Sequence, residues 1–197
     1  MQKIAFFFAI FIIGGIATSL CAQPGKHPKW DTALLALEKS DFVVQYSAIK
    51  DTIELQIADF HRQKSGLRPE EIAAVKKGYE QSVEQFNKVL NLIKEDFTDP
   101  SYRSFMADHP DRFSATLEAE LNNALTFYNN NCKSKIDQYV PHGHASLGLM
   151  EVGMLITLGK ELYKIWSERQ AKAKEMSGSY FEERFVSKYR LKKWDHY

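Results

Sequence analysis

The sequence predicts an all-α fold: an elongated up-down bundle of about four long helices, with short accessory and C-terminal helices. Three observations carry that expectation. Apolar residues recur at spacings of three and four through most of the chain, the period of a helix with one buried face. Pro, Gly, Ser-Asp and Asp-Pro breaks cut the pattern into long segments. No stretch alternates apolar and polar residues as a half-buried strand does, and no tandem repeat or low-complexity tract intervenes.

The first helical region covers 30–63. Leu34, Leu37, Phe42, Tyr46, Ile49, Ile53, Ile57 and Phe60 mark its apolar side. Ser40-Asp41 can interrupt it, because either side chain can cap a new helix. Ser65-Gly66 ends it. The second helix starts at Pro69, whose ring pre-sets the first turn, with Glu70 and Glu71 at the positive helix end. Ile72, Val75, Tyr79, Val83, Phe86, Leu90, Ile93 and Phe97 follow, and Thr98-Asp99-Pro100 closes it. At about 28 residues it spans roughly 42 Å. Such a length implies partners of similar length, and coiled-coil packing is expected between them.

A short helix over 101–109 carries Tyr102, Phe105 and Met106. The third long helix starts near Pro110 and runs through Phe113, Leu117, Leu121, Ala124, Tyr128, Cys132, Ile136 and Tyr139. Asn129-Asn130-Asn131 is its weak point, since asparagine offers competing side-chain bonds. The apolar spacing nevertheless survives across it, so a continuous helix is expected. After a turn at 141–144, the fourth long helix covers 145–177, with 147–158 nearly all apolar. A last helix is expected over 180–193.

The N-terminus has its own character. Lys3 precedes an apolar run over 4–20, and Ala22 suits the position before a cleavage site. Residues 1–22 are read as a secretory signal peptide, 23–29 as a flexible leader and 30–197 as one helical-bundle domain. Leu20 is bulky where a small residue is usual, which keeps two alternatives open: lipidation at Cys21, or retention as an anchor. This places the protein outside the cytoplasm, periplasmic or extracellular, and membrane-tethered in the alternatives.

The chain carries 26 basic and 25 acidic side chains. That near-neutrality argues against a nucleic-acid partner. Charge is uneven, with net −4 over 67–126 and net +4 over 160–197. The mildest explanation is that these segments face each other. Cys132 lies beside an apolar stripe and is read as buried and inert. Lys133 and Lys135 could instead lower its pKa and make a reactive thiol.

Candidate chemistry is sparse. Glu151 sits in the apolar run of the fourth helix. It is either half of a ligand or cation site, with Tyr128 and Tyr139 lining a cavity, or the one exposed line of a buried helix. His142 and His144 are two ligands where zinc needs three or four, so no metal site is assigned. No helix carries the Glu-x-x-His pair of a di-metal bundle, and no nucleophile elbow, H-E-x-x-H or phosphate loop is present. No cofactor is expected.

The C-terminal stretch carries the most functional weight. Phe181, Phe185, Tyr189 and Trp194 give an aromatic face, and Lys188, Arg190, Lys192 and Lys193 crowd the last turns. A helix of this kind docks on a partner or lies on a membrane surface. Alternatively its rings cover the bundle end and its lysines complement the helix dipole. The expected function is a non-enzymatic, exported helical protein acting through another envelope protein or through self-association. A small-molecule or cation-binding bundle near Glu151 is the alternative.

Overall fold

A computed structural model describes residues 27–140 and 176–197. These residues form an all-α, elongated bundle of several long helices with shorter accessory helices. The expected signal segment, Cys21, His142, His144 and Glu151 lie outside the described residues.

The 30–63 region is two helices, α1 (Pro28–Glu38) and α2 (Asp41–Gln63). Ser40 divides them. Its hydroxyl donates to the Leu37 carbonyl at 2.6 Å and accepts from the Val43 amide at 3.4 Å. One side chain thus closes α1 and caps α2. Residues 28 and 29 of the expected leader are already helical.

After the 3-10 turn Lys64–Gly66 comes α3 (Pro69–Thr98), the axis of the molecule. Glu71 accepts from the Arg68 amide at 2.9 Å, half of a capping box. α4 (Pro100–Asp108) follows at once, capped by Asp99, which accepts from the amides of Ser101 and Tyr102. Arg103 of α4 turns back and donates to the carbonyls of Asp96 and Phe97 at 3.2 and 2.7 Å. The last turn of α3 has no basic residue of its own, and Arg103 satisfies carbonyls left open there.

α5 (Pro110–Tyr128) runs back along α3. The asparagine run is a π turn (Asn129–Lys133) that continues directly into α6 (Ser134–Tyr139). The expected continuity therefore holds, with one widened turn at the weak point. Gly78 explains the close approach there. A Cβ on Gly78 would lie 2.1 Å from the Asn131 carbonyl oxygen. Just beyond, the Lys135 ammonium donates to the Ala74 carbonyl at 3.3 Å.

The C-terminal helix begins with α7 (Gly178–Phe181), widens through a π turn (Glu182–Val186) and ends in α8 (Ser187–Tyr189). It stops four residues before the expected end at 193. Arg190 turns extended, with ψ 138°, and the chain closes in a 3-10 turn, Trp194–His196. This segment runs antiparallel to α3. Phe181 stacks on Phe97 near one end, and Asp195 reaches Lys76 near the other.

The coiled-coil expectation is corrected. A coiled coil buries two seam positions per heptad. α3 buries a broader face: Val75, Gly78, Tyr79, Ser82, Phe86, Val89, Leu90, Ile93, Asp96 and Phe97. It is covered by α2, by α5 and by the C-terminal segment, not by one matched helix. The π turn further breaks any seven-residue repeat along α5. Among the described residues, no helix is long and apolar enough to cross a membrane.

Candidate functional site

The best-defined polar and aromatic constellation is where residues 190–197 cross α2 and α3. Sequence and backbone explain how the crossing forms. Arg190 ends the helix in an extended conformation, which carries the last residues across α2 and α3. Leu191 turns inward and Lys192 and Lys193 outward, and Trp194 turns inward again at the 3-10 turn.

Glu54 anchors the crossing. It is 8 % exposed, on the buried side of α2. One carboxylate oxygen accepts from the Lys192 amide at 3.2 Å and faces Lys50 Nζ at 3.0 Å. The other faces Lys192 Nζ at 3.0 Å. Burial pushes this carboxyl up, but the hydrogen bonds from Lys192 and Lys50 outweigh it and hold its pKa below the usual range. Tyr79 of α3 completes the grip. Its hydroxyl donates to the Lys192 carbonyl at 2.6 Å and meets the Tyr197 hydroxyl at 3.2 Å. Burial above all, then that contact with Tyr197, raises the Tyr79 phenol well beyond its ordinary value.

An aromatic box closes over the end of the chain. The Trp194 ring lies 4.3 Å from His61, 5.9 Å from Phe60 and 5.9 Å from Tyr79. Tyr197 lies 5.7 Å from His61. Lys64 Nζ is 2.9 Å from His61 Nδ1. Burial, then Lys64, lowers the His61 pKa, against a weaker opposing effect of Asp195. The chain's own basic, aromatic end fills this box.

The docking-tail expectation is therefore corrected. Phe181, Phe185, Tyr189 and Trp194 are core residues, none more than 7 % exposed. Phe181, Phe185 and Tyr189 follow one another at ring separations of 4.9 and 4.6 Å. The cations mostly meet acids of this same chain. Lys188 pairs with Glu38, Arg190 with Glu182 and Lys192 with Glu54. Lys193 is exposed. The physical reason is competition: α1, α2 and α3 offer apolar surface and carboxylates to the segment within its own molecule. The rings are thus not presented to a membrane or to a partner. The charge expectation also shifts. The tail does lie on α3, yet the ion pairs there run from Lys94 to Glu182 and from Lys76 to Asp195. The tail's own bases go chiefly to α1 and α2.

Tyr128 is fully buried, and its hydroxyl donates to Gln56 at 2.6 Å, while Tyr139 is only half-buried. Their expected partner Glu151 lies outside the described residues. Cys132 is a free, buried thiol. Burial pushes its pKa up to about 12, outweighing Lys135. Lys133 faces Asp137 instead. The burial expected of this cysteine holds, and burial disfavours the thiolate that a reactive cysteine needs. His109 stacks on Phe105 at 4.5 Å. Among the described residues, no three His, Cys, Asp or Glu side chains are grouped to hold a metal ion.

A second polar group was not legible in the sequence. Asp96 is 1 % exposed, and its Oδ2 has no hydrogen-bond partner. Burial raises its pKa to about 8, against the opposing effect of Arg103. The buried Tyr102 hydroxyl and Ser114 Oγ also lack partners. The Asp96 spacing does fit the buried line of α3, but charged residues in a helix read as solvent-facing by default.

Compared with protein-family models, curated proteins and solved structures, the chain finds no match.

Proposed function

We propose that this chain is a non-enzymatic helical protein that works by contact with another protein. The location carried with this reading, outside the cytoplasm at the cell envelope, rests on the sequence of residues 1–22 alone. The supporting observation is an exposed line on α2. Asp41, Val44, Ala48, Asp51 and Leu55 follow at spacings of three and four, and all are exposed. Val44 and Leu55 are each 56 % exposed, the most open of the large apolar side chains among the described residues. A line of apolar residues left in water is the kind of surface a partner covers. The acids at positions 41 and 51 favour a partner whose apolar ridge is flanked by Lys or Arg.

The test is site-specific photo-crosslinking in the native host, followed by mass spectrometry. A photoreactive residue placed at Val44 or Leu55 is expected to capture one recurring protein, and the same residue at exposed Glu84 of α3 is not. Equal capture at all three positions, or none at 44 and 55, removes the support for this surface. Capture of a second copy of the chain replaces the foreign partner by self-association.

A further inference from the structure

We propose that the last residues of the chain, 194–197, form a strap that acid releases, with His61 as the group that senses the proton. The geometry carries this. Lys64 Nζ stands 2.9 Å from His61 Nδ1. An ammonium can only donate, so Nδ1 must offer its lone pair and the ring must be neutral. Its single proton is then on Nε2, which is buried and has no hydrogen-bond partner. A proton added at Nδ1 would place two cations at hydrogen-bond distance with no acceptor between them. The Lys64–His61 contact must then break. Both of its members support the Trp194 ring: His61 at 4.3 Å and Lys64 at 6.0 Å.

The other groups facing His61 among the described residues do not reverse this. Asp195 favours a protonated ring, but its side chain is 85 % exposed and already faces Lys76 of α3 at 3.6 Å. Tyr197 and Tyr79 face the box as neutral phenols, since burial raises both pKa values. Phe60, on the same helix, carries no charge. The carbonyl end of α2 attracts a cation, and there Lys64 already stands as its C-cap residue. The indole face would attract a protonated imidazole, and Lys64 shares that face too.

The sign follows from the direction of the His61 shift. A folded-state pKa below the free imidazole value means that the closed strap is most stable above about pH 6.5 and loses stability as pH falls. Glu54 stays ionised through that window, because its own pKa is held low. It keeps hold of Lys192 by both amide and ammonium. The pivot is therefore Lys193, and the part released is Trp194 onward. Its departure uncovers Phe60 and Tyr79, an aromatic groove between α2 and α3.

The experiment is fluorine NMR of the full chain labelled with 5-fluorotryptophan, with the Trp194 resonance assigned by W194F. Between pH 7.5 and 5.5 that resonance is expected to move toward the solvent-exposed position, with a midpoint below about 6.5. In H61Q it should stay fixed over the same range. In K64M the repulsion is gone, so release should be lost or moved to lower pH. Release in H61Q matching that of the unsubstituted chain overturns the proposal. So does release in K64M at the same or a higher pH, a readout that remains if H61Q does not fold. A Trp194 resonance that is constant down to pH 5.5 in the unsubstituted chain also overturns it.

Discussion

Two carboxylates on the buried side of the bundle show how partners decide the cost of a charge. Glu54 and Asp96 are both removed from solvent. Glu54 faces two ammonium groups and accepts an amide, and its pKa falls. Asp96 has an unpartnered oxygen, and its pKa rises to about 8. The consequences for stability have opposite signs. Glu54 contributes stability that is present above the ordinary carboxylate pKa and lost as pH falls through its folded value. E54Q should therefore destabilise the fold by about 2 kcal/mol at pH 7, as urea unfolding would measure. The difference should narrow as pH falls below the ordinary carboxylate range. Asp96 is protonated in the fold and ionised in the unfolded chain between about pH 4 and 8, so it lowers stability progressively across that window. D96N should be close to neutral at pH 4 and stabilising at pH 8, on the order of 1–3 kcal/mol. An equal effect at both pH values would show that Asp96 does not titrate between them.

At the scale of elements, the crossing of α3 with the π turn is set by one missing side chain. Gly78 lets the Asn131 carbonyl approach to a distance no Cβ tolerates. The neighbour is backbone inside a helical turn, so it cannot rotate away as a long side chain could. G78A should destabilise the protein by about 1–3 kcal/mol or more, measured as a lower midpoint in chemical unfolding. A stability within a few tenths of the unsubstituted value would mean that α3 and the π turn separate easily. Gly78 shows no special signal in the sequence, because a glycine inside a helical pattern reads only as a small local penalty. The break at Ser40 was more legible, since a serine before an aspartate is an ordinary capping pattern. Only packing could decide whether Ser40 would cap α2 or remain inside one longer helix.

Across the whole molecule, the C-terminal segment is a brace. Tyr180 donates to Asp31 and Arg184 faces the same carboxylate. Lys188 reaches Glu38 at 2.9 Å. Farther along, Lys192 and Trp194 close on α2 and α3. One segment thus ties α1, α2 and α3 together over most of the length of α3. W194A empties the aromatic box and should cost about 3 kcal/mol of global stability. Amide exchange is expected to rise in α2 near Phe60 and in α3 near Tyr79, and to change little in α4. Faster exchange confined to the last four residues would mean that the brace carries no weight.

The all-α class, the start of α3 at Pro69 and the apolar faces of α2, α3 and α5 followed from the sequence by itself. Helix period and capping are local physics, written in spacings of three and four residues. The C-terminal rings were equally visible as an aromatic face, but whether they met a partner or this chain's own core was a contest between surfaces far apart in sequence. Tertiary structure decided it, because α1, α2 and α3 offer those rings apolar contact and those lysines carboxylates without the entropy of bringing two molecules together. The same holds for Asp96, Gly78 and His61. Each is ordinary in its own segment and acquires its character from an atom on another element.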